Sequence, residues 1–201
     1  MNNGNYGTPL VLLVFGEKGF YYAIILMVLQ QLIMATIGIY VAAQGSEEDK
    51  KLSPLKEVSK VPIVYGSIIG IVLNLINWKL PSGLTTIVNM VADAAIPTIM
   101  IVLGMQLATI SLRKLELGKL STALVIKLAI APVIAYFITL FLPVDEMIKQ
   151  IMILMAAMPT AANTTMYAVQ FNAKPAFVSS ATLTSTLLSI ITLPIILAII
   201  M

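Results

Sequence analysis

Stretches of twenty or more residues almost free of charge recur along this 201-residue chain, and they decide its solvent before any single residue is considered. Phe20 to Ala43, Leu120 to Leu142 and Ala176 to Met201 each match the roughly 20 apolar residues that a helix needs to cross a hydrocarbon core about 30 Å thick. In lipid every backbone N–H and C=O must be paired within the protein, so runs of this kind are helices and not strands of an open sheet. Only 10% of the residues are charged, against about 25% in soluble domains, too few to clothe a water-facing surface. The expected fold class is all-α, a polytopic membrane protein.

Charges and turn residues divide the chain into one half span and five full ones. Apolar Leu10 to Phe15 stops at the Glu17/Lys18 turn, and Phe20 to Ala43 is the first full span. Gln44 to Lys60 follows with four acids and four bases and reads as a solvated cytoplasmic linker. Val61 to Ile76 is a short span, and Asn77 to Gly83 turns the chain with Trp78 as an interfacial anchor. Leu84 to Ile110 contains Asp93 and Pro97; after the loop Ser111 to Lys119, Leu120 to Leu142 contains Lys127 and Pro132. Past a turn at Pro143 to Glu146, Ile148 to Met158 is apolar for only 11 residues before PTAANTT interrupts it, and MYAVQF then resumes, which predicts a helix broken at mid-membrane. Ala176 to Met201 closes the chain, with a kink expected at Pro194. Taking loops alternately, one set holds eight Lys and Arg and the other three, so the richer set is expected in the cytoplasm and the C-terminus outside a multi-pass cytoplasmic-membrane protein.

The absence of Cys and His removes thiolate and imidazole nucleophiles, bases and metal ligands, so no enzyme, metal or cofactor is expected. The net charge of +3 is spread among loops and indicates membrane orientation, not nucleic-acid binding. The 12 methionines read as apolar packing.

Two segments stand out against this background. NNGNYGTPL at the start has the Gly, Asn and Pro content of unwound backbone, and Pro159 to Thr165 forms a second break. Irregular backbone at membrane depth is tolerated only inside protein or beside a cavity, and a pair of interrupted spans points to an inverted-repeat transporter with its substrate where the half-helices meet. Half-helix N-termini present open amides and a positive dipole end, which suits a carboxylate. The candidate substrate contacts are Asn2, Asn5, Tyr6, Thr160, Asn163, Thr164 and Thr165, and the candidate crossover positions are Gly4, Gly7, Pro9 and Pro159. The bland alternative is that these polar groups only satisfy freed backbone or neighbouring helices.

The pattern Asn2, Gly4, Gly7, Pro9 resembles the crossover in the fourth helix of the auxin efflux carrier family, which includes bacterial malate and malonate permeases. Ala94 to Ala108, the span holding Lys127 and Pro132, and Ala156 to Phe171 are similar to that family's seventh, eighth and broken ninth helices. The resemblance implies ten helices in two inverted five-helix repeats whose broken helices cross. It makes residues 1–43 the remainder of a truncated first repeat (half of helix four plus helix five), residues 44–60 the linker, and residues 61–201 a complete second repeat with its broken helix at 148–171. The expectation is a fragment of a longer carrier that moves small organic anions, with a proton or sodium as coupling ion, in lipid and with a homodimer as candidate assembly. A truncated remnant, an accessory protein or a channel is the alternative.

Asp93 is the carboxylate deepest in a span. Placing it there costs about 2.5–3.5 kcal/mol, so it is expected to face protein or water, either as a coupling group or as a structural hydrogen-bond partner. Lys127 is read either as a snorkelling lysine or as a cation for the substrate or for Asp93.

Overall fold

A computed structural model describes residues 1–44, 62–108 and 117–201. Most of the linker, Arg113 and Lys114 lie outside the described residues, within which there are helices and no strand. In chain order the helices are α1 (Thr8–Ile33), α2 (Ile39–Gln44), α3 (Pro62–Leu75), α4 (Ser82–Ala108), α5 (Leu117–Val125), α6 (Ala131–Leu140), α7 (Glu146–Ala157), α8 (Ala162–Gln170) and α9 (Pro175–Ile200). A single π-helical turn at Asn3–Gly7 leads into α1, and others at Met34–Gly38 and Ile126–Ile130 join neighbouring helices. Among the described residues, three helical stretches are long and apolar enough to cross a membrane: Asn3–Ala42, Leu117–Leu140 and Pro175–Ile200.

The first of these is not one rod. Forty residues at about 1.5 Å each would be roughly twice the hydrocarbon thickness. Gly16 resolves the mismatch with φ 67° and ψ −166°, a conformation essentially confined to glycine. The chain folds back there. Gln30 Nε2 donates to the Met1 carbonyl at 2.8 Å, which closes the hairpin at its far end.

The opening segment differs from the expectation of unwound backbone: Asn3–Gly7 is a π turn, with the Thr8 amide donating to the Asn3 carbonyl. Its cause is Pro9, which has no N–H and whose ring would crowd the carbonyl four residues back. A wider i to i+5 turn relieves both problems. Pro132 repeats the device, because Ile126–Ile130 is also π-helical and the Ala131 amide donates to the Ile126 carbonyl.

Pro159 has the opposite effect and stops a helix. The residue before a proline is driven out of the α region, and Met158 is extended at ψ 143°. Ala161 is extended too, at ψ 143°, before α8 begins. The core gathers around this stop: Val11, Ala23, Ile151, Leu154, Met155, Ala157, Met158 and Leu193 are buried together, where both arms of α1 meet α7 and α9. Most other large apolar side chains on α3, α4 and α6 face outward, the arrangement expected where the surroundings are hydrocarbon.

Candidate functional site

The two proline-bearing segments are in contact. The Asn2 amide donates to the Pro159 carbonyl at 2.8 Å, and Pro9 and Pro159 are both fully buried. Close approach needs Gly7, where a Cβ would lie 2.8 Å from Met155 Sδ and 3.2 Å from Met158 Cγ. Gly4 faces Met27.

At the end of α7, Lys127 Nζ donates to the Ala156 carbonyl at 2.8 Å. Terminal carbonyls of a helix carry partial negative charge and lack intrahelical partners, so the ammonium caps a helix end. Lys127 therefore neither snorkels to the headgroup region nor pairs with Asp93, and the π turn that contains it belongs to the same local geometry.

At the start of α8 nothing plays the corresponding part. Its N-cap is Ala161, with no side-chain cap, and the amides of Ala161, Ala162 and Asn163 find no backbone partner outside the helix. Ala161 and Ala162 are buried. A buried helix N-terminus without partners is costly in lipid and is the usual seat of an anion. Nearby, Asn2 and Asn3 are each 4% exposed, and Asn2 Nδ2 and Asn3 Oδ1 have no hydrogen-bond partner.

The remaining candidates divide. Asn5, Thr160, Asn163 and Thr164 are half-buried, and their side chains make no hydrogen bond among the described residues. Thr165 is committed elsewhere, its Oγ1 lying 3.1 Å from Thr182 Oγ1. The Tyr6 hydroxyl is 3.4 Å from Ser189 Oγ, a long contact for two hydroxyls. α4 packs on Asn3–Gly7 and α8, and Asp93 is exposed on it, as are Ser82, Thr86 and Asn89 at positions that share its helix face. Sequence reasoning missed the buried hydroxyls Thr182, Ser185 and Ser189. Their spacing of three and four residues inside an apolar helix was the available signal.

A family model described as "Membrane transport protein" matches residues 1–197. The chain belongs to this family, that of the auxin efflux carriers. It is 29% identical over 197 residues to an "Uncharacterized transporter" of Methanothermobacter thermautotrophicus, covering 96% of this chain and 63% of that protein. A "Putative malonate transporter" of Rhizobium meliloti is 26% identical over 199 residues, 95% of this chain and 61% of its own length. "Uncharacterized transporter MJ1031" of Methanocaldococcus jannaschii is 27% identical over 166 residues, 80% of this chain and 52% of its own length. The chain thus spans less than two thirds of the length of these relatives. No solved structure matches it.

Proposed function

We propose that this transporter-family chain takes part in secondary active transport of small organic anions across the cytoplasmic membrane, with the substrate carboxylate at the start of α8. One observation carries the reading: an uncapped helix N-terminus with Ala161 and Ala162 buried, near the Asn2 side-chain Nδ2, which has no partner. Both features offer hydrogen-bond donors, and a carboxylate is what such donors complement. Asn5, Tyr6, Thr160, Asn163 and Thr164 would orient the remainder of the molecule, and Lys127, by capping α7 from the opposite side of the break, would keep the two half-helix ends apart.

In this reading the α7–α8 interruption and the Asn2–Pro9 segment are the crossing elements of two inverted repeats, the arrangement that supports alternating access. Proton or sodium coupling through Asp93, an extracellular C-terminus, and pairing of the polar face of α4 with further protein, a second copy included, belong to the same proposal. The malonate in one relative's name makes malonate the first substrate to try.

Proteoliposomes containing the chain should accumulate radiolabelled malonate, or another small carboxylate, above its outside concentration when a proton or sodium gradient is imposed. Equilibration without accumulation would indicate a channel. Neither uptake nor binding of any small carboxylate would end the proposal.

A further inference from the structure

α9 turns one line of hydroxyls toward the break. Thr182, Ser185 and Ser189 are spaced by three and four residues, which places them on one helix face, and each is at most 1% exposed. Each also has a carbonyl of its own helix for its proton: Thr182 donates to Val178 at 3.0 Å, Ser185 to Thr182 at 3.0 Å and Ser189 to Thr186 at 2.7 Å. A hydroxyl has a single proton. With its proton on the Thr182 carbonyl, Ser185 offers only lone pairs outward, while Thr182 Oγ1 and Ser189 Oγ also meet hydroxyls, those of Thr165 at 3.1 Å and Tyr6 at 3.4 Å.

Across the break, Ser185 Oγ accepts the Thr160 amide at 3.1 Å. This bond decides which donors remain open between the two half-helices. The Met158 amide is used by the Met155 carbonyl, Pro159 has none, and Ser185 takes that of Thr160, so the first uncommitted amides are those at the start of α8.

We propose that Ser185 is the positioning residue of the break: by holding the Thr160 amide it fixes the extended Met158–Ala161 backbone and sets the register of open amides presented to an anion. Ser185 touches no substrate in this role. Its importance to transport rests on the anion reading above, whereas its hold on the backbone does not.

The test is hydrogen exchange resolved to single amides on the full chain in lipid nanodiscs, with no anion present. Ser185→Ala should speed exchange at Thr160 about five- to tenfold, the usual consequence of losing one hydrogen bond. Ser180→Ala is the matched control, because Ser180 is equally buried on the same helix but donates only to its own Ala176 carbonyl; it should leave Thr160 unchanged. Unchanged exchange at Thr160 in Ser185→Ala, or equal acceleration in both variants, overturns the proposal. Malonate uptake then separates the two claims: Ser185→Ala should raise the half-saturating concentration more than it lowers the maximal rate. A wild-type chain that neither binds nor carries a carboxylate sinks the anion reading and leaves the exchange result standing.

Discussion

Replacing Lys127 by methionine and by glutamate separates two opposing electrostatic effects within one hydrogen bond. A lysine within a membrane span carries an insertion cost of about 2.5–3.5 kcal/mol. Its bond to the Ala156 carbonyl at 2.8 Å is charge-assisted and contributes about 1.5–3 kcal/mol, while a carbonyl left bare at a helix end costs about 1–3 kcal/mol. Lys127→Met loses the bond and exposes the carbonyl but also relieves the insertion cost, so the net destabilisation should be small, about 1–2 kcal/mol. Lys127→Glu keeps a buried charge and sets it against the negative end of α7, with no relief, so about 3–5 kcal/mol should be lost. Unfolding in mixed detergent micelles, followed by loss of helical circular dichroism, measures the order wild type, Met, Glu. If both variants unfold within about 0.5 kcal/mol of wild type, as exposed substitutions usually do, the ammonium is not on the Ala156 carbonyl and the capping argument is wrong.

Asn163→Ala should weaken malonate binding by roughly ten- to 150-fold, the range for one hydrogen bond to a charged group, with membrane insertion unchanged by carbonate extraction. Gly16→Ala forces an alanine into φ 67° and ψ −166° and should cost on the order of 1–3 kcal/mol, read as lowered thermal stability in detergent; a neutral result would place the hairpin turn elsewhere. Asp93→Asn should abolish stimulation of uptake by an inward proton gradient, and a gradient response equal to wild type would leave Asp93 a structural role alone.

The long helices were legible because twenty apolar residues bounded by charge admit one solution in lipid. The fold-back before Phe20 was legible through Glu17 and Lys18, although the residue that permits it is Gly16, whose unusual ψ no local pattern announces. Pro159 is legible as a helix stop because a proline constrains its predecessor in any context, and α7 ends at Ala157. Pro9 did not read correctly: the Gly and Asn around it suggested unwound backbone, whereas a π turn absorbs the same proline and keeps the segment helical. The hydroxyls of α9 were invisible for a different reason. Ser and Thr in membrane helices ordinarily bond their own backbone, as Ser180 does, and sequence does not say which of them also meets a neighbour. Lys127 and Asp93 show the same limit, since the partner of a lone charge depends on packing between helices far apart in the chain.

Whether the open amides at the start of α8 hold the anion is read by hydrogen exchange of the wild-type chain in nanodiscs with and without saturating malonate. Malonate should slow exchange at Ala161, Ala162 and Asn163 and leave Thr160, already held by Ser185, nearly unchanged. Malonate that binds while those three amides exchange at the same rate as in its absence would place the anion elsewhere.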